Sequence, residues 1–225
     1  MLNVARVHAK HGFRFAEVAG TPADHASWWS FDDEQEVRDR WWHPRAGETV
    51  LDVGAAFGSY ALPALRDGAR VVCFSPADFD TELLRKNLEL NPELARRCLV
   101  ARDGLHEGDG WFDPDRSIFA PSPCQKGQWL LVRSLDSWLA ERPGVDRVDW
   151  VKLDVEGAEL GVLRGAEGML RRWRPRLLVE LHEQHVPDMA ARVWSFLSGL
   201  GLGYDCAEPG PIRHCAVSHA FYEVK

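Results

Sequence analysis

Val50-Leu51-Asp52-Val53-Gly54-Ala55-Ala56-Phe57-Gly58-Ser59-Tyr60 is an apolar run that carries one acid and passes through two glycines into a helix-forming stretch. A strand that turns through glycine straight into a helix opens a crossover unit, and the glycines let the backbone approach a ligand at the carboxyl end of the strand. The spacing is not GxGxxG, and no GxxxxGK[ST] segment occurs anywhere in the chain. A dinucleotide or a nucleoside triphosphate is therefore disfavoured, and a ligand without phosphates fits better. Taken alone, a plain strand-turn-helix joint packed on its glycines reads the same way.

Working outward, short β-branched runs at 49–53, 70–74, 98–101, 148–154 and 176–182 alternate with helical patterns at 58–66, 78–90, 134–140, 157–173 and 187–199. Such alternation predicts crossover helices on a parallel sheet, an α/β doubly wound, Rossmann-like fold. After residue 200 the pattern changes. Segments 203–207 and 216–224 are strand-like, and the Glu208-Pro209-Gly210-Pro211 linker is too short for a crossover helix, so they are expected to pair as an antiparallel hairpin. Residues 48–225 then form the main domain. Residues 1–47 precede it as a helical, lid-like extension holding the pairs Trp28-Trp29 and Trp41-Trp42, and 103–129 reads as an irregular Gly- and Pro-rich insert.

Composition narrows the function classes. The chain has 225 residues, 45% hydrophobic and 27% charged, and a formal net charge of -7. That is a globular protein whose overall charge disfavours nucleic acid. Cysteines at 73, 98, 124, 206 and 215 include no CxxC pair, which fits reduced thiols in the cytoplasm. The charged N-terminal segment does not resemble a signal peptide, and the longest uncharged stretch, 53–65, is far short of the about 20 residues of a membrane span.

A second segment, Val148-Asp149-Trp150-Val151-Lys152-Leu153-Asp154-Val155-Glu156-Gly157-Ala158-Glu159, again runs from strand through glycine into helix. A strand covered on both faces should be almost purely apolar. Here Lys152 and Asp154 share a face, and Glu180 and His182 repeat that relation on the strand expected beside it. Asp154, Glu156 and His182 are the candidate catalytic residues, whereas Lys152 reads as half of a buried ion pair and Glu159 as a first-turn helix acid. His182-Glu183-Gln184-His185 spaces its histidines three apart, which excludes the HExxH zinc motif and leaves His185 as a solvent-facing loop residue. A divalent cation on Asp154 and the end of the next strand stays open as the less favoured alternative.

These residues resemble the FkbM-type family of S-adenosylmethionine-dependent methyltransferases. The resemblance runs from about Glu36 to His182, carried by the glycine loop, by Ser134-Leu135-Asp136-Ser137-Trp138-Leu139, by 148–159, by Gly165-Ala166 and by 175–182. It implies a seven-stranded class I methyltransferase fold, S-adenosylmethionine as donor, and O-methylation of small molecules or sugars. It further implies donor contacts from Asp52, Gly54, Ala55, Phe57, Gly58 and Tyr60, and adenine near Asp103. Two positions depart from the family. Phe74-Ser75-Pro76 lacks the glutamate that grips the donor ribose, leaving Ser75, Asp78 or Asp80 to replace it, and Ala56 stands where asparagine is common.

In the mechanism this predicts, His182 is the general base, because an ordinary imidazole pKa near 6.5 permits proton acceptance at neutral pH. Asp154 and Glu156 are second choices, as bases or as groups that orient the acceptor. The expected partners are a small-molecule hydroxyl substrate and, in an oligomer, a second copy. A non-catalytic binding module is the alternative, followed by an RNA methyltransferase using Arg164, Arg171, Arg172, Arg174 and Arg176.

Overall fold

Lys10 faces Phe13 across His11 (φ 56°) and Gly12 (φ 82°), two left-handed residues of the kind that close a tight hairpin. They join β1 (Val4–Lys10) to β2 (Phe13–Val18) in a computed structural model that describes residues 2–19, 31–32, 34–113, 118–120, 129–211 and 218–225. By its internal contacts the chain divides into two compact units, residues 1–102 and 103–225. The N-terminal extension is not purely helical: α1 (Gln35–Trp41) follows the hairpin. Phe13 and Phe15 of β2 are buried with Arg14 exposed between them, the alternation expected of a strand. Trp28, Trp29, Cys124 and Cys215 lie outside the described residues, and Cys73, Cys98 and Cys206 are free.

The first unit continues with β3 (Thr49–Val53), α2 (Ala61–Arg66), β4 (Arg70–Phe74), α3 (Asp78–Glu89), α4 (Pro92–Ala95) and β5 (Cys98–Ala101). β3 pairs in parallel with β4, and β4 with β5. Every residue of β3 is buried, as a strand covered on both faces requires. Two buried asparagines tie the hairpin to this core. Asn91 accepts from the Arg14 amide (2.8 Å) and donates to the Arg14 carbonyl (2.6 Å), while Asn87 accepts from the Ala16 amide (2.8 Å). Asn87 also donates to the Phe57 carbonyl (2.9 Å), which anchors the glycine loop.

The second unit opens with β6 (Gly104–Leu105), β7 (Gly110–Asp113), β8 (Ile118–Ala120) and β9 (Leu130–Arg133), a small sheet in the order β6-β9-β7-β8. The segment expected to be irregular is thus partly strand. Its glycines serve close strand contact: a Cβ on Gly104 would stand 2.9 Å from Val132 Cγ1. Next come α5 (Leu135–Ala140), β10 (Trp150–Leu153), α6 (Glu159–Arg164), α7 (Glu167–Trp173), β11 (Arg176–Leu181), α8 (Met189–Gly199), β12 (Tyr204–Pro211) and β13 (Ser218–Val224). β10 and β11 are parallel, and β13 runs antiparallel to both β11 and β12; the expected hairpin pairing is present, but residues 208–211, read as its linker, are part of β12. With β3, β4 and β5 these four make the seven strands of the mostly parallel α/β fold.

The single helix expected over 157–173 is split into α6 and α7. A Cβ on Gly165 would stand 2.0 Å from the His106 carbonyl oxygen, so the chain passes too close there for any side chain. The carboxylate of Asp136 then caps α7 by accepting from the Gly168 (2.6 Å) and Met169 (2.8 Å) amides. No helix among the described residues is long and apolar enough to cross a membrane.

Candidate functional residues in two loops

The loop after β3 is shaped by its backbone. Gly54 (φ 82°), Ala56 (φ 43°) and Gly58 (φ 99°) are all left-handed. The Gly54 and Ala55 amides both donate to the Phe74 carbonyl at 3.0 Å, and the Gly58 amide donates to the Ala55 carbonyl at 2.8 Å. A Cβ on Gly58 would lie 2.9 Å from Leu84 Cδ1, so that glycine is needed for packing as well as for its φ. Residues 54–56 carry at most a methyl group, so no long side chain of their own stands in the way of a closely approaching donor. The left-handed turn at Ala56 also explains why asparagine suits that position: it tolerates this conformation far better than alanine does.

Other expected donor contacts serve the loop itself. Phe57 is buried with its ring edge-on to Phe31 at 5.1 Å. The Tyr60 hydroxyl donates to Glu34, and its ring meets Trp42 at 5.3 Å. Asp52 and Ala55 are buried. Trp42 donates its Nε1 hydrogen to the Tyr60 carbonyl (3.1 Å), so this member of its Trp pair braces the loop and also lines a cavity of about 360 Å³ with Phe13, Phe31 and Arg38.

At the end of β4, Ser75 is buried; its amide donates to the Ala101 carbonyl (3.0 Å) and its carbonyl accepts from Thr81 Oγ1 (2.6 Å). Asp78 is ion-paired with Arg102 and its side chain is 82% exposed, which weakens its case as the ribose ligand. Asp80 is partly buried, and burial raises its carboxyl pKa. In the second unit, Asp103 accepts from Trp138 Nε1 (3.1 Å) and stands 4.0 Å from Arg133, so its carboxylate already has protein partners.

The loop after β10 is shaped by charge. Glu156 is left-handed (φ 51°) and exposed, and it is followed by Gly157 (φ 99°), where a Cβ would stand 3.0 Å from that of His185. His182, at the end of β11, is 3% exposed. Its Nδ1 hydrogen bonds Glu159 Oε1 at 2.6 Å, while its Nε2 faces Glu156 Oε2 at 3.3 Å, Asp154 Oδ1 at 3.6 Å and Glu180 Oε1 at 3.7 Å. Lys152 Nζ lies 3.3 Å from Glu180 Oε2 and 3.5 Å from Asp154 Oδ2. His185, expected free in solvent, meets Glu156 Oε2 at 3.1 Å.

Asp154, Glu156 and His182 thus converge as expected, but the role of His182 changes. Burial lowers its pKa, yet the hydrogen bond to Glu159 and the charges of Asp154, Glu159 and Glu156 outweigh that and hold it at about 9. At neutral pH the imidazole is protonated, so it is not the ready proton acceptor that an unperturbed histidine would be. Burial raises the Glu180 carboxyl pKa, but Lys152, His219 and His182 together take it well below the usual range. Glu159, read from the sequence as a helix acid, is fully buried and sets the orientation of the His182 ring. The available signal was an acid inside the apolar Ala158-Glu159-Leu160-Gly161-Val162-Leu163 run.

A profile of the methyltransferase FkbM domain matches residues 52–206. Among solved structures, methyltransferase FkbM from Methylobacillus flagellatus KT aligns at 18% identity and a TM-score of 0.61, covering 84% of this chain and 47% of that one. The chain therefore spans about half the length of that protein. TYW2 from M. jannaschii, solved in complex with AdoMet, aligns at 12% identity and a TM-score of 0.54, covering 99% of this chain and 88% of that one. The C-terminal domain of precorrin-6Y C5,15-methyltransferase from Rhodobacter capsulatus aligns at 14% identity and a TM-score of 0.50, covering 93% and 92%. Nothing matches among curated proteins.

Proposed function

The chain belongs to the FkbM methyltransferase family, and from that premise we propose that it transfers the methyl group of S-adenosylmethionine to a hydroxyl oxygen of a small molecule, a natural product or a sugar. The small side chains of residues 54–56 suit the donor. The observation that carries the hydroxyl reading is the cluster of Asp154, Glu156, Glu159 and His182, which offers a polar acceptor oriented oxygens and a place for its proton. Methyl transfer from a sulfonium is an in-line displacement, so the main task is to hold the acceptor oxygen about 3 Å from the methyl carbon. A neutral hydroxyl is a poor nucleophile, and a carboxylate within reach takes its proton as the new bond forms.

In this reading Asp154 or Glu156 takes that proton, and protonated His182, steadied by Glu159, orients them. Four of the five arginines behind the RNA alternative have protein partners. Arg171 pairs with Glu167 (2.8 Å), Arg164 faces Glu107 (3.4 Å), and Arg172 and Arg176 lie over the rings of Trp173 and Trp150. The test is incubation of the protein with methyl-labelled S-adenosylmethionine and a panel of sugars and polyhydroxylated or phenolic compounds, with the methylated atom located by NMR. Methylation confined to nitrogen or carbon in panels that offer all three atoms would overturn the hydroxyl assignment.

A further inference from the structure

We propose that Asp154, Glu180 and His182 form the binding site of one divalent cation. Each carboxylate divides its oxygens between two tasks. Glu180 Oε2 faces Lys152 Nζ (3.3 Å) and His219 Nε2 (3.2 Å), and Asp154 Oδ2 faces Lys152 (3.5 Å). Their other oxygens, Glu180 Oε1 and Asp154 Oδ1, stand 3.7 and 3.6 Å from His182 Nε2. Those separations are too long for hydrogen bonds. They lie a few tenths of an ångström beyond the spacing around a metal, where bonds of about 2.1 Å put neighbouring ligand atoms about 3.0 to 3.4 Å apart, so a bound ion would draw the three atoms together. One ligand atom from each of the three residues lies within 4.8 Å of the others.

A second observation points the same way. The His182 side chain is 3% exposed, and its Nε2 is aimed into this group, with the exposed Glu156 Oε2 at 3.3 Å beside the two carboxylate oxygens. Its Nδ1 is held by Glu159 at 2.6 Å, the outer carboxylate that a metal-bound histidine characteristically carries, and the ion takes the place of the proton on Nε2, which is released to solvent. Four carboxylates, Asp154, Glu156, Glu159 and Glu180, stand against the two cations Lys152 and His182, so exchanging the imidazole proton for a divalent ion adds favourable positive charge. Mixed imidazole and carboxylate donors suit Mn²⁺ or Zn²⁺ better than Ca²⁺. Three protein ligands leave positions open for an acceptor oxygen, and only this last consequence rests on the proposed O-methylation.

The test uses the full chain stripped with EDTA and titrated with Mn²⁺ alone, followed by electron paramagnetic resonance. One Mn²⁺ per chain should lose the free-ion signal, with nitrogen modulation from a directly bound imidazole. Asp154→Asn should abolish binding, and Glu159→Gln, which does not touch the ion, should weaken it by about 10- to 100-fold. A free-ion signal that persists to about 1 mM Mn²⁺, binding without nitrogen modulation, or unchanged affinity in a folded Asp154→Asn protein overturns the site. The nitrogen signature is read on the unaltered protein, so a variant that fails to fold does not leave the question open. No arm contains a methyl acceptor, so failure of the hydroxyl assignment leaves this result standing, and the reverse.

Discussion

After β3 the chain reads Asp52-Val53-Gly54-Ala55-Ala56, and after β10 it reads Asp154-Val155-Glu156-Gly157-Ala158. Each loop places an acid near the strand end, follows it with valine, puts a non-glycine residue in the left-handed region, Ala56 or Glu156, and leads to a helix. They spend that geometry differently. The first loop strips side chains away and presents backbone; the second projects carboxylates around a buried imidazole. Left-handed strain in a non-glycine residue costs of order 1 to 2 kcal/mol, and it persists where the surroundings demand it. The same turn can thus serve recognition of shape in one unit and arrangement of charge in the other.

If the first loop works through its bare backbone, Gly54→Val should lower S-adenosylmethionine affinity by more than about 100-fold, because the side chain meets both a forbidden φ and the ligand's approach. Titration calorimetry on protein with native circular dichroism decides this; unchanged affinity would remove the donor site from the loop. The second loop should behave in the opposite manner. His182→Ala or Asp154→Asn should cut turnover by about 10² to 10⁴ and change donor affinity little. Equal losses in donor binding and turnover would break the division of labour between the loops.

Smaller effects sharpen the comparison. Ser75→Glu restores the family's ribose acid and should tighten donor binding by about 1 to 3 kcal/mol, whereas weaker binding would mean that the buried serine site has no room for it. The smallest expected change is in stability. Ala56→Asn should raise the urea midpoint, worth about 0.5 to 1 kcal/mol, by relieving the left-handed alanine. Glu156→Asn should stabilise the protein by a similar amount and also lower turnover, so the strain at 56 and the strain at 156 are separated by activity.

Local pattern made most of this architecture legible. β3, β4 and β5 begin and end where their short apolar runs do, and Ser134 caps α5 by accepting from the Ser137 amide (3.0 Å), because strands and helix caps write themselves into neighbouring residues. What escaped depends on residues distant in the chain. The break at Gly165 comes from the His106 carbonyl, and the hairpin β1-β2 needed His11-Gly12 to be recognised as a turn. The convergence of Asp154, Glu156 and His182 was visible in the period of two along each strand. The charge state of His182 was not, because it depends on Glu159 pointing back from α6, twenty-three residues before it.

The asparagines of the first unit have a consequence for how the molecule behaves in company. A β-hairpin presents an unpaired edge, and such edges recruit strands from other chains. Asn91 and Asn87 occupy the outward hydrogen-bonding positions of Arg14 and Ala16 with side-chain amides, imitating a third strand that has no further edge to offer. Removing those amides would do more than loosen a helix contact. It would turn β2 into a template for aggregation, and the same change would release the Phe57 carbonyl that Asn87 holds.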